Sequence, residues 1–150
     1  MNIQKFTRKS MQAVEGCEKL AYEYGNQEIE QEHLLYSLLT LDDSLILKLI
    51  EKMEIQKEHF LNRAEQAVAK RTKVQGGKVY VGEHLNKALV GAEDEAKQLG
   101  DEYVSVEHLF LAMLKSPNRE IAQILKEYGI TRERFLKALS TVRGNQRVTS

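Results

Sequence analysis

The sequence contains few of the residues that build disulfide-bonded, β-rich or membrane-spanning proteins. Its 150 residues include no tryptophan, one proline and one cysteine. A lone cysteine, Cys17, excludes an internal disulfide and is typical of proteins from a reducing compartment. No apolar run approaches the roughly 18 residues of a transmembrane helix, and the first residues lack the apolar core of a signal peptide. We therefore expect a cytoplasmic protein without a membrane partner.

An excess of either charge is also missing. Lys and Arg together number 22, as do Asp and Glu, so the formal net charge is zero. Nucleic acids and anionic membranes attract proteins through a positive surface field, which this balance does not supply. The composition therefore predicts no nucleic-acid partner.

Helix-forming residues dominate what is present. Hydrophobic residues make up 42% of the chain and charged residues 29%, as in ordinary globular proteins. Long stretches are rich in Ala, Leu, Glu and Lys, which favour helix. Strand-forming residues cluster only at 79–81, too few for a sheet. The sequence predicts an all-α fold.

The chain aligns with itself without a gap when it is shifted by 75 positions. The segment Glu-His-Leu at 32–34 falls on the same three residues at 107–109, and Gly25 falls on Gly100. Further identical pairs include Ala13/Ala88, Gly16/Gly91, Ala21/Ala96, Leu39/Leu114, Ile46/Ile121, Ile55/Ile130 and Phe60/Phe135. One register held over more than 50 residues indicates a duplication.

The duplication predicts eight helices, arranged as two pseudo-symmetric four-helix repeats packed into one domain of residues 1–143. Repeat one covers about 6–70, a connecting loop about 71–82, and repeat two about 83–143. The predicted helices span about 7–24, 31–40, 44–52, 56–70, 83–99, 105–116, 118–128 and 132–142. Residues 144–150 have no apolar periodicity and are predicted to begin a flexible linker to a module beyond this chain.

Local signals mark where the predicted helices begin and end. Thr7, Ser105 and Thr131 precede helices as amino-terminal caps. Gly25 and Gly100 end the first helix of each repeat, because glycine adopts the left-handed conformation without a steric penalty.

The sequence offers no catalytic or metal-binding pattern. Glu30 and His33 have the spacing of a di-iron bundle ligand pair, but repeat two has Ser105 where the second glutamate is required. His33 and His108 are therefore expected to satisfy backbone groups in the first helical turn. Cys17 lies on the apolar face of the first predicted helix and is expected in the core.

A phosphate-binding loop is absent as well. Gly76-Gly77-Lys78 lacks the glycine five residues before the Gly-Lys pair and the Ser or Thr after it. The sequence thus predicts no nucleotide, cofactor or metal in this chain, and no enzyme activity of its own.

The repeat, its helix count and four segments together resemble the Clp amino-terminal domain family over the whole chain. These segments are Phe-Thr at 6–7, Glu-His-Leu-Leu at 32–35, Gly-Asp-Glu-Tyr-Val-Ser-Val-Glu-His-Leu at 100–109 and Arg-Gly-Asn-Gln-Arg-Val-Thr at 143–149. Segments 100–105 and 143–149 are most similar to the ClpB subfamily of disaggregases, and less so to ClpC and ClpA.

The resemblance implies a role in protein quality control. ClpB proteins are hexameric AAA+ machines that extract polypeptides from aggregates together with the DnaK chaperone system. ATP and Mg would bind to ATPase modules beyond Ser150, whereas this domain would bind exposed apolar segments of unfolded or aggregated proteins. The family's binding groove lies beside the first helix, with a threonine and two acidic residues at its rim. Thr7, Asp101 and Glu107 match these positions.

Other interpretations remain open at this stage. Thr7 and Glu107 are equally explained as helix-start residues, one by capping and the other by its charge near the helix dipole. The resemblance also allows an adaptor-docking domain of a ClpC or ClpA unfoldase. A free-standing duplicated helical protein and a metal-dependent bundle enzyme are further alternatives. The reading frame after Ser150 would discriminate between most of these.

We predict that the isolated chain is monomeric and hydrolyses no ATP, because it lacks a phosphate-binding loop and long heptad repeats. Light scattering measures the mass, and a phosphate-release assay measures turnover. A hexamer, or nucleotide turnover above background, would contradict the prediction.

Overall fold

The computed structural model describes residues 2–144 and 148–149. Over these residues the chain forms eight α-helices, a short 3-10 helix at Ile3–Lys5 and two strands of two residues each. The helices are α1 (Arg8–Glu23), α2 (Gln31–Thr40), α3 (Leu45–Lys52), α4 (Lys57–Ala69), α5 (Glu83–Gln98), α6 (Val106–Lys115), α7 (Arg119–Tyr128) and α8 (Arg132–Arg143). Each predicted helix is present, with its ends within one residue of the prediction. None of the helices in the described ranges is long and apolar enough to span a membrane.

The predicted helix signals act where they were expected. Thr7 and Thr131 cap α1 and α8 by accepting hydrogen bonds from the backbone N–H groups of Ser10 and Arg134. Gly25 and Gly100 have φ angles of 71° and 75°, in the left-handed region that glycine tolerates. These local features explain why the sequence determines the helix ends so closely.

The prediction that no sheet forms was wrong in detail. Strand β1 (Glu28–Ile29) pairs in parallel with β2 (Tyr80–Val81), and Phe6 forms an isolated parallel bridge with Val104. Strands of two residues are too short to produce a periodic pattern, and their partners lie far away in the sequence. Only tertiary packing therefore reveals β1 and the pairings, whereas β2 lies within the strand-forming residues 79–81.

These pairings are reciprocal between the two halves of the chain. Ile29 pairs with Val81, and Phe6 with Val104. A shift of 75 positions converts each pair into the other. The segment before the first helix of one half therefore pairs with the segment before the second helix of the other half.

The helix contacts between the two halves are reciprocal in the same way. Helix α1 packs on α2, and α5 packs on α6. Between the halves, α3 contacts α6 and α8, whereas α7 contacts α2 and α4. One apolar core runs through both halves, and the rings of Phe110 and Phe135 stack in it with centroids 4.6 Å apart. This interlocking makes one domain of the two repeats; that the halves superpose stays a prediction.

The connection between the halves lies against the first one. Backbone N–H groups of Val74, Tyr80 and Gly82 donate to the carbonyls of Gly25, Gln27 and Ile29. The predicted linker falls largely outside the described residues, which exclude 145–147 and 150. Val148, which is described, hydrogen-bonds to the residues after Gly100.

We expect Gly82→Ala to destabilise the domain by about 1–3 kcal/mol, because overpacking a buried site has that cost. A Cβ at Gly82 would lie 2.2 Å from Oε1 of Glu30, whose side chain is buried. Gly91→Ala is the matched control: its Cβ would meet Ala112 at 3.8 Å. Because glycine weakens a helix interior, Gly91→Ala is expected to stabilise by about 0.5–1 kcal/mol. Urea unfolding measures both, and equal effects would refute the clash.

Candidate functional site

Thr7 lies where the first turn of α1 meets the segment before α6. Its backbone N–H donates to the carbonyl oxygen of Val104 at 2.9 Å. The Ser10 hydroxyl donates to the same carbonyl at 2.8 Å and lies 3.0 Å from the Thr7 hydroxyl. The start of α1 is thereby fixed beside residues 101–105, and Thr7 remains half-buried.

Asp101 lies immediately after the helix-ending Gly100, and its side chain is fully buried. Its Oδ2 atom accepts from Nε2 of His108 at 2.7 Å. Its Oδ1 atom accepts from Arg143 and, at 2.9 Å, from the backbone N–H of Val148. Burial by itself raises the pKa of Asp101, but the hydrogen bonds from Arg143, Val148 and His108 outweigh it and hold the pKa below its ordinary value. Asp101 is therefore ionised at neutral pH.

Glu107, in the first turn of α6, shares the same arginine. Its Oε2 atom lies 3.4 Å from Nη1 of Arg143, and its Oε1 atom accepts from the Ser105 hydroxyl. We call Asp101 and Glu107 the acidic pair. Arg143 bridges the pair with one guanidinium group, a geometry that suits two carboxylates.

The structure thus brings the three predicted site residues into one region but orients them differently from the prediction. Thr7 is accessible, whereas the acidic pair faces inward, with side chains 0% and 6% exposed. The carboxylates are covered by Arg143, so they do not form an open rim in this structure.

The equivalent region of the other half has different chemistry. Glu32 corresponds to Glu107; it pairs with Arg71 at 2.8 Å and accepts from Nδ2 of Asn118 at 2.7 Å. The residue corresponding to Asp101 is Asn26, a neutral amide. The residue corresponding to Thr7 is Gly82, which has no side chain.

Glu30 distinguishes this second region from the first. A depression of about 410 Å³ borders the region, and its walls include Glu30, Glu32, Arg71 and His84. The Glu30 carboxylate accepts from the backbone N–H of Gln31 at 2.9 Å and from that of His84 at 3.0 Å. One buried side chain therefore caps both α2 and α5. In the other half the smaller Ser105 takes its place.

The two histidines of the repeated segment have the structural role predicted for them. Nδ1 of His33 accepts from the backbone N–H of Glu30 at 2.9 Å, and Nδ1 of His108 accepts from that of Ser105 at 2.8 Å. Nε2 of His33 faces Oδ1 of Asn26 at 2.9 Å. Within 2–144 and 148–149, no group of three or more His, Cys, Asp or Glu side chains could hold a metal ion.

Cys17 is buried on the inner face of α1, as predicted. Burial raises the pKa of its thiol to about 12, although a hydrogen bond from its own backbone opposes the shift. The thiol is therefore protonated at neutral pH and unsuited to nucleophilic attack.

A depression of about 240 Å³ with both apolar and polar walls adjoins Arg143, the partner of the acidic pair. It lies between the end of α5 and α8, and its walls include Leu99, Leu136, Leu139 and Arg143. Sequence reasoning missed these residues, since an amphipathic helix does not show which apolar side chains border a depression. Arg143 was also missed, although two carboxylates near one helix start indicate a cationic partner.

The model of the Clp repeat N-terminal domain family matches residues 5–128. The chain belongs to this family. It is 41% identical to the chaperone protein ClpB of Nitratidesulfovibrio vulgaris and 36% identical to that of Bacillus anthracis, over the whole chain in both comparisons. The chain spans 18% of the length of each of these relatives.

Solved structures share the fold. The N-terminal domain of Hsp104 from Candida albicans has a TM-score of 0.84 at 21% identity, covering 97% of this chain and 96% of that one. A ClpV N-domain in complex with a VipB peptide has a TM-score of 0.73 at 20% identity, covering 98% and 92%.

We predict that the unfolding free energy falls by about 2 kcal/mol between pH 7 and pH 5 because of His33. Burial, with the nearby Arg71, lowers the pKa of His33 to about 4, from an ordinary value of 6.5. Below pH 6.5 the unfolded chain therefore binds a proton that the folded chain excludes, which favours unfolding.

His33→Gln is the matched variant, because glutamine at this position can still accept from the backbone N–H of residue 30. Urea unfolding at several pH values measures the slope for both chains. The variant is expected to lose this part of the pH dependence. An identical slope in both would show that His33 does not cause it.

Proposed function

We propose that this chain is the substrate-engaging amino-terminal domain of a ClpB-type, ATP-dependent disaggregase. The observation that carries the proposal is the alignment of the whole chain with ClpB proteins at 36–41% identity, together with its 18% share of their length. The remainder of such a protein would hold ATP and Mg, assemble as a hexamer and work with the DnaK system.

The proposed ligand is an exposed segment of an unfolded or aggregated polypeptide. Thr7, Asp101 and Glu107 are the proposed substrate-binding residues, and the depression lined by Leu99, Leu136 and Leu139 is proposed to take apolar side chains. A site for many unrelated sequences is expected to be shallow and weak. Several copies tethered in one assembly would compensate through avidity.

The arrangement of charges is consistent with binding and gives no support to catalysis. The Asp101 and Glu107 carboxylates are already paired with Arg143, and the Cys17 thiol is protonated. The ClpV N-domain, which shares the fold, is described in complex with a VipB peptide. By analogy, we propose that this chain also acts by holding a peptide segment.

Adaptor docking, as in ClpC or ClpA proteins, is the second candidate. The fold also occurs in the N-terminal domain of the protease-associated chaperone ClpD of Arabidopsis thaliana, with a TM-score of 0.67. An adaptor is a folded partner, whereas a disaggregase substrate is unfolded. Comparing the binding of one model protein in its folded and unfolded states separates the two candidates.

We expect Thr7→Asp to weaken binding of an unfolded protein roughly threefold or more, because docking would desolvate the added carboxylate. Stability is expected to change by less than about 0.5 kcal/mol, since aspartate also caps helices and its charge favours the helix amino terminus. Fluorescence anisotropy with a labelled, permanently unfolded protein measures binding, and the melting temperature reports stability.

Thr7→Ser is the control, because serine keeps the capping hydroxyl without adding charge. It is expected to bind like the parent chain. Unchanged binding by Thr7→Asp at unchanged stability would remove Thr7 from the site. Failure of the parent chain to bind would contradict the capture function.

A further inference from the structure

Both backbone groups of Val148, the N–H and the C=O, form hydrogen bonds with the turn after Gly100. The N–H of Val148 donates to Oδ1 of Asp101 at 2.9 Å. Its carbonyl oxygen accepts from the N–H groups of Glu102 at 2.9 Å and Tyr103 at 3.2 Å. Three hydrogen bonds therefore hold one residue, and all of them use its backbone.

Arg143 provides a second anchor for the end of the chain. Its guanidinium group contacts Oδ1 of Asp101, the atom that also accepts from Val148, and it lies 3.4 Å from Glu107. Its side chain is only 12% exposed. The charged anchor and the backbone anchor thus meet at a single carboxylate oxygen.

We propose that the Asp101 carboxylate and the Glu102 and Tyr103 amides form a subsite that binds one extended residue of a polypeptide by its backbone, and that Val148 occupies it until a substrate segment displaces it. The identity of the displacing segment rests on the proposed function. The occupancy by Val148 does not.

The chemistry of the subsite suits a ligand of variable sequence. A backbone N–H and C=O are present in every residue except proline, which lacks the N–H. Because none of the three hydrogen bonds involves a side chain of the ligand, the subsite would accept many sequences. This property fits an unfolded polypeptide better than a folded partner, whose backbone groups are already paired.

Because Val148 occupies the subsite, the affinity of the subsite for a substrate segment is lowered. Val148 belongs to the same molecule as the subsite, so it competes at a high effective concentration. An incoming segment must displace it and therefore binds more weakly than it would to an empty subsite. Weakening the Val148 contact is expected to strengthen substrate binding.

Val148→Pro and Val148→Ala form a matched pair for the test. Proline removes the N–H that donates to Asp101, whereas alanine keeps the N–H and shortens only the side chain. Amide hydrogen exchange of Glu102 and Tyr103 in the 150-residue chain, measured by NMR, reports whether the subsite is occupied. The Val104 amide, which donates to the Lys5 carbonyl, is the internal reference for an intact fold.

We expect slow exchange of both amides in the parent chain and in Val148→Ala. In Val148→Pro, exchange is expected to be at least about tenfold faster, while the Val104 amide stays protected. Equally fast exchange in parent and Val148→Pro would overturn the occupancy. Acceleration by Val148→Ala equal to that by proline would overturn recognition through the backbone.

Binding of a labelled unfolded protein then tests displacement. Val148→Pro is expected to bind roughly three- to tenfold more tightly than the parent, and Val148→Ala like the parent. Equal binding by all three would overturn displacement without affecting the proposed function. If none of the three binds, the proposed function and displacement fail together, and the exchange rates alone decide the occupancy by Val148.

Discussion

The reciprocal backbone pairing of short extended segments holds the two halves of this domain in place. The pair Phe6 and Val104 fixes the start of α1 beside α6, and the pair Ile29 and Val81 fixes the start of α5 beside α2. Each half supplies one partner to each pair, so neither half completes its hydrogen bonds alone. Because unpaired backbone groups are costly when buried, we expect this pairing to couple the halves into one folding unit.

This arrangement places equivalent helix starts in equivalent positions, yet the chemistry of the two regions differs. In one half, Glu30 fills the space beside Gly82 and caps two helices. In the other half, the smaller Ser105 replaces Glu30, and Thr7 replaces Gly82. The two halves differ at most of their aligned positions, and the differences at these helix starts separate a structural junction from a candidate binding region.

The candidate region contains several buried charged side chains. Asp101, His108, Glu107 and Arg143 form one connected cluster with little access to solvent. Removing one partner from such a cluster costs about 3–5 kcal/mol, because the remaining charge is left uncompensated. Arg143 therefore contributes to stability while it covers the acidic pair. The Val148 contact is different, because another backbone segment that displaced Val148 would restore the same hydrogen bonds to Asp101, Glu102 and Tyr103.

The sequence alone determined the all-α class and the helix ends, because caps such as Thr7 and stop residues such as Gly25 act within a few positions of the chain. The duplication, visible as a constant shift, also predicted which residues are equivalent. Only the tertiary structure revealed the pairing of the two-residue strands, the burial of Asp101 and Glu107, and their shared Arg143. These depend on partners 36 to 98 positions apart, whose meeting is decided by packing and leaves no periodic signal in the sequence.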